Sequence, residues 1–358
     1  MVHQQLPESS SKEGAMFCLR RLLYVFLLTT SLAWGEPVLR RHSGWTDLTT
    51  RLPVTYQQDQ IMVKNAVVHE GGLYFLIAAR GNQPRNLIVH TDLVGAVRKV
   101  VPLPSEQASD RPTSIMDMAV DPAGKFLLLQ SAQSQGQPRR FELVSKDVSS
   151  NLAVVAFDRA ALSLCVRGQT VWLLLNDKSL QKLTGQDLRN AFPLLVSTLH
   201  ETVDAAPMAR PLPDSILILD RVLAQLHFVD EASGRRRVVS LSQIPEVQEG
   251  LLHYPPEMRG RAAQGNTFAR AMPTNYVATT VEGDIYVNVS GHHVSKGAVI
   301  LRLNSKGQLV ERLYCALPRV EKRVNDSNPL GYMSPIVSIG AGHGRLFVIG
   351  AAGEVVWY

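Results

Sequence analysis

The chain has little cysteine, few aromatic residues and, beyond residue 35, almost no helical periodicity. Only three cysteines occur in 358 residues. Cys18 falls in an apolar N-terminal stretch, which leaves Cys165 and Cys315. Two cysteines make no disulfide framework, and without a CxxC pair the usual zinc and dithiol spacings are excluded. Both lie in apolar, strand-like runs and read as buried free thiols. Aromatics make up 6% of the chain, and the net charge of +6 is mild for this length. Basic residues are scattered, with short local runs such as Arg139-Arg140 and Arg235-Arg236-Arg237. Without a concentrated basic stripe or aromatic platforms, nucleic-acid binding is not expected.

Catalytic signatures are missing too. There is no P-loop, GxSxG elbow, HExxH pair or dinucleotide fingerprint. "GAGHG" at Gly340 to Gly344 has the composition of a phosphate loop but no helix after it, so it reads as a strand-to-strand turn. Asn288-Val289-Ser290 and Asn325-Asp326-Ser327 match glycosylation acceptors, which matter only in a eukaryotic secretory host.

No apolar run reaches the roughly 20 residues that span a bilayer. The longest opens at Leu22, after Arg20-Arg21, and ends in small residues: "LLYVFLLTTSLAWG". Ala33 and Gly35 fit a signal-peptidase site, with cleavage before Glu36. Residues Met1 to Ala15 are polar and lengthen the leader, so the start codon is Met1 or Met16. Residues 1–35 are therefore expected to be an N-terminal extension and signal peptide. The mature protein would be exported, periplasmic or extracellular, with no stable membrane span.

What the chain does have is a repeat. Hydrophobic residues make up 45% of it, enough for a large core. After residue 36 they occur in short runs bounded by Gly, Pro, Asp and Asn, the pattern of strands and turns. A strand, a tight turn and a second strand recur six times: "AVVHEGGLYFLIA", "DMAVDPAGKFLLLQ", "SLCVRGQTVWLLL", "ARPLPDSILILD", "VATTVEGDIYVNV" and "VSIGAGHGRLFVIG". A third and fourth strand follow most copies, as in "AVILRLN" and "LVERLY". The third copy is the least regular, because "SLQKLTGQDLRNAFPLLV" can accommodate a helical turn. Four strands per period predict an all-β, six-bladed β-propeller over residues 36–358. The sixth copy ends at "EVVWY" after three strands. "GWTDLTTRLPV", Gly44 to Val54, is expected to supply the missing outer strand, with Tyr358 packed.

Blade five, "AMPTNYVATTVEGDIYVNVSG…GAVILRLNSKGQLVERL", resembles a blade of the NHL-repeat and TolB-like six-bladed propellers. In those, a Gly-Asp or Gly-Asn turn precedes an "IYV" strand. The resemblance implies the fold, and propellers host many functions. Propellers similar to gluconolactonase and regucalcin hold a calcium-like ion in the central channel. Carried over, that resemblance assigns Asn65, Asp117 and Asn275 to a divalent cation, with one carboxylate where that family has more. It implies a lactonase-like hydrolase or lyase as the alternative activity; otherwise no cofactor is expected.

Turn lengths point to a functional face. Links between first and second strands, and between third and fourth, are tight. The remaining links share the opposite face and are long, above all residues 245–273 and 317–335 on either side of blade five. Long loops on a rigid scaffold are where binding residues concentrate. The expected binding positions are His253, Tyr254, Glu257, Arg259, His292, His293, Asn325 and Asp326. No catalytic residue is assigned. Adjacent histidines point in different directions, so His292-His293 reads as the polar tip of a turn, with a metal-binding or acid–base role the alternative. The expected partner is a protein or a carbohydrate.

Overall fold

Runs of aliphatic residues between glycine, aspartate and proline turns form strands, and these pair antiparallel in fours. The computed structural model describes residues 43–45, 48–57, 59–69, 72–80, 85–103, 113–122, 124–132, 140–146, 151–157, 159–184, 192–200, 202, 204, 207–252, 273–289, 298–315, 336–350 and 353–358. Among the described residues six four-stranded sheets are present. The first strands of blades 1 to 6 are Gln60–His69, Thr113–Val120, Ala161–Arg167, Met208–Pro211, Thr274–Thr279 and Ile336–Gly342. Each first strand packs beside those of its two neighbours, and blade 1's meets blade 6's, so the six form a closed inner ring. The protein is an all-β propeller of four-stranded antiparallel blades.

Burial explains the strand sequences. Second strands are nearly continuous apolar runs, and Thr170–Leu175 and Ser215–Asp220 are buried from their second residue onward. They lie in mid-sheet with a neighbouring blade against each face, so neither side can be polar. Outer strands such as Arg236–Ser240 are mostly exposed or half-buried. Among the described residues Trp172, Phe75 and Phe347 are the largest fully buried side chains. Where blade 6 meets blade 1 the spacing is tight. A Cβ on Gly340 would come within 2.4 Å of a Val68 methyl carbon. "GAGHG" closes a two-residue hairpin in which His343 and Gly344 both have positive φ, 54° and 68°. That backbone matches the twist of the flanking strands.

The last blade takes its outer strand from the N-terminal side, but a shorter one than expected. Ser43–Trp45 pairs antiparallel with Val355–Trp357. The described remainder of the Gly44 to Val54 segment, residues 48–54, does not continue the strand. Thr49–Arg51 is a 3-10 turn and Val54–Gln57 (α1) a single helical turn opened by Pro53, whose carbonyl accepts Tyr56 N–H at 2.8 Å. Proline has no N–H to give a sheet but suits the start of a helix, which ends the strand character here. Leu48 and Leu52 instead drop into the core beside Phe347 and Trp357. Tyr358 is buried, and its backbone exchanges two hydrogen bonds with Leu346.

The third blade carries strands Ser179–Thr184 and Phe192–Thr198, and residues 185–191 between them, where the sequence can accommodate a helical turn, lie outside the described residues. The connection before blade 5 opens with a helix, Pro245–Leu252 (α2), where a loop was expected. Pro245 at its first position and Glu246 in its first turn are ordinary helix-start signals.

Candidate functional site

The first strands of five blades share a device. Just before or around a polar residue the register slips: at Asn65, Asp117, Ser163, Asn275 and Ser338. A bulge bends the strand and re-aims one side chain. Here it turns polar groups along the ring of inner strands. Asn65 Nδ2 donates to Asp117 Oδ1 at 2.8 Å, and Met118 N–H donates to the same oxygen at 2.9 Å. Ser163 Oγ and Leu164 N–H both donate to Asp117 Oδ2 at 2.9 Å. Ser163 Oγ accepts Ala209 N–H at 3.1 Å, and Ser338 Oγ donates to Ala66 C=O at 3.3 Å. This chain of bonds stitches blades 1 to 4, and blade 6 to blade 1.

The cation positions fall within and beside this belt. Asn65 and Asp117 are brought together, bonded to each other. The Asp117 carboxylate accepts four donors, about its full lone-pair capacity. Asn275 is buried on blade 5 but takes no part in the chain of bonds. Among the described residues no cluster of three His, Cys, Asp or Glu side chains is spaced to hold a metal ion.

Beyond the belt, toward the tight-turn face, the six inner strands surround a cavity of about 810 Å³. Its wall includes Ala66, Val120, Val166, Leu212, Ala278 and Ile339, and His69, Arg167, Glu282 and His343 stand among its lining residues near the tight turns. One cation belongs to the wall itself. Arg210 donates from Nε to Val277 C=O at 3.2 Å and from a terminal nitrogen to Ala209 C=O at 2.7 Å. Cys165 also lines this cavity, and burial pushes its thiol up to about 12, with Arg210 pulling it down and Asp117 pushing it further up. It is protonated and unreactive at neutral pH.

On the long-loop side the described residues form a rigid base. Asp204 is fully buried and grips Arg221 through Nε at 2.7 Å, a terminal nitrogen at 3.0 Å and the Arg221 backbone N–H at 3.1 Å. Burial works against the Arg221 charge, but the Asp204 carboxylate more than offsets it and holds the guanidinium more firmly protonated than usual. Arg221 C=O in turn accepts Thr274 Oγ1 at 3.3 Å, which ties the network to blade 5. Glu246 on α2 pairs with Arg312 of blade 5 at 2.8 Å. These anchors bracket the start of the connection that holds His253, Tyr254, Glu257 and Arg259. Those four residues, with His292, His293, Asn325 and Asp326, lie outside the described residues.

No helix among the described residues is long and apolar enough to cross a membrane. No family model matches the sequence, and neither does any curated protein sequence. Several solved propeller structures are similar. The glutaminyl cyclase of Myxococcus xanthus aligns over 68% of this chain and 88% of its own, at 15% identity and a TM-score of 0.36. The WD40 repeats of RRP9 align over 88% and 99%, at 10% identity and a TM-score of 0.47. The U3-55K structure aligns over 83% and 95%, at 10% identity and a TM-score of 0.48. At these values the likenesses carry no functional argument.

Proposed function

We propose that the protein is an exported binding module, a six-bladed propeller of the NHL-like or TolB-like type that holds a protein or carbohydrate on its long-loop face around blade 5. Its mature chain would begin near Glu36. The observation that carries this reading is the asymmetry of the connections. First-to-second-strand links are short, down to the two residues between Arg167 and Thr170. The links flanking blade 5 on the other face run over residues 241–273 and 316–335. They leave from a base braced by Arg221–Asp204 and Arg312–Glu246, the arrangement in which a rigid scaffold presents variable contact residues. Tyr254, Met258 and Arg259 are of types enriched at interfaces. The hydrolase or lyase alternative has less support, because a channel cation would have to displace the donors that fill Asp117.

The test compares immobilised intact protein with a variant in which residues 253–271 become a short Gly-Ser link, leaving α2 and its ion pair in place. Both are challenged with the proteins and glycans of the compartment that receives the mature chain. A component held by the intact protein and lost by the equally stable variant supports the reading; retention by both, or by neither, overturns it. In the same assay His292→Ala with His293→Ala should leave stability within about 0.5 kcal/mol.

A further inference from the structure

The six blades repeat one another closely two residues past the bulge, and one blade breaks the pattern. Register along the second strands puts Val67, Ala119, Cys165, Ala278 and Gly340 at this level in blades 1, 2, 3, 5 and 6. None of the five is charged. Blade 4 places Arg210 there, paired with Leu217, in a first strand of only four residues. The guanidinium thus stands in the wall of the central cavity, on a face that is otherwise largely aliphatic.

Its bonding is incomplete. A guanidinium carries five N–H donors. Two are used, both on neutral backbone carbonyls, and no carboxylate pairs with Arg210 among the described residues. Asp117, the carboxylate of the neighbouring belt, is engaged by its own four donors. The two carbonyl bonds hold the guanidinium plane fixed and leave three N–H groups for a ligand. A planar fork of this kind matches a carboxylate in two parallel bonds. The cavity, about 810 Å³, falls in the range of small-molecule sites, which combine apolar walls with a few placed polar groups.

We propose that the central cavity binds a small organic carboxylate, its head anchored on Arg210 and its apolar body against the aliphatic inner strands. A free inorganic anion would satisfy the fork but leave the walls unfilled. The site opens toward the tight-turn face and is independent of the long-loop face.

The test is calorimetric titration of the full chain with sodium hexanoate, hexanamide and inorganic phosphate. Hexanoate should bind one to one, with hexanamide weaker by about tenfold or more. The Arg210 Nε–H resonance of arginine-labelled protein should shift on adding hexanoate, and Arg210→Gln should weaken hexanoate by a similar factor. The wild-type comparison of acid with amide decides the matter even if the variant fails to fold. Absence of hexanoate binding at millimolar concentration, equal affinity for the amide, or binding without a shift at Arg210 overturns the proposal. Phosphate binding as tight as hexanoate overturns the assignment to an organic carboxylate.

Discussion

Cys315 Sγ lies 2.8 Å from the Tyr358 hydroxyl, a buried hydrogen bond that joins the outer strand of blade 5 to the residue following the third strand of blade 6. The two residues share a core cluster with Ile336, Ile339 and Val348. The last blade is therefore held from two directions: by Tyr358 against blade 5, and by the Ser43–Trp45 strand with Leu48 and Leu52 on its other side. Tyr358→Phe should cost about 1 kcal/mol, the net worth of one such bond. Leu48→Ala should cost about 2–5 kcal/mol, because it empties a fully buried site beside Phe347. Urea unfolding of both variants, fitted with a common m-value, measures the difference. A Leu48→Ala variant as stable as the parent would show that this segment does not close the ring.

The Asp117 clasp makes a second prediction. An amide in place of the carboxylate would present N–H groups to donors now bonded to oxygen. Asp117→Asn should therefore lose roughly 3 kcal/mol or more, since bonds to a charged group contribute about 1.5–3 kcal/mol each. Millimolar calcium should leave the wild-type Tm unchanged. A calcium-dependent rise in Tm that vanishes in Asp117→Asn would reinstate the cation at this position.

For the Asp204–Arg221 pair, single and double replacements should differ in kind. Arg221→Met leaves a fully buried carboxylate without its main partner and should destabilise by about 3–5 kcal/mol. Adding Asp204→Leu should recover much of that loss, because a buried ion pair exchanged for apolar groups is often neutral. If the double variant were worse than the sum of the singles, the network's value would lie in its hydrogen bonds to backbone rather than in the ion pair.

His90 stacks on Tyr74 with ring centroids 4.3 Å apart and planes 3° from parallel. Burial holds its pKa below the usual histidine value, helped by Lys99 and Arg98, and opposed by Asp92. A depressed histidine is neutral in the folded chain while its unfolded counterpart takes a proton. Stability is therefore lost as pH falls from about 6.5 toward the folded value, and no further below it. His90→Phe keeps the stacked ring and should flatten the decline of Tm between about pH 6.5 and 5. An unchanged slope would assign that decline to other groups.

The architecture was legible because each blade repeats a glycine or aspartate turn between apolar runs, and "GDIYV" carries its own reinforcement. Asp284 in that turn pairs with Arg302 on the next strand, beside "IYV", at 2.8 Å. What escaped the sequence depended on distance along the chain. Asn65 and Asp117 stand out as polar breaks in apolar strands, but their bond to each other requires two bulges and the packing of adjacent blades. Arg210 was not singled out, although "MARPLP" shows an arginine where the other first strands carry Val67, Ala119, Cys165, Ala278 and Gly340. That contrast emerges only when the blades are aligned by register. The α2 helix was hidden by the habit of reading a long inter-blade segment as loop, despite the Pro245-Glu246 start.

Pairing Ser43 with Trp357 also fixes a timetable. The outer strand of the last blade is made early, and its partner roughly 300 residues later, about 15–60 s at ordinary rates of synthesis. Throughout that interval the blade 1 side of the nascent ring has no blade 6 to lie against, and exposed strand edges invite pairing with other chains. Contacts of such wide sequence separation also make for slow folding, because the entropy of bringing distant segments together is spent before they stabilise one another. Completion of the ring is thus a late, concerted event. The chain spends its most aggregation-prone period before the closing strand has anything to hold.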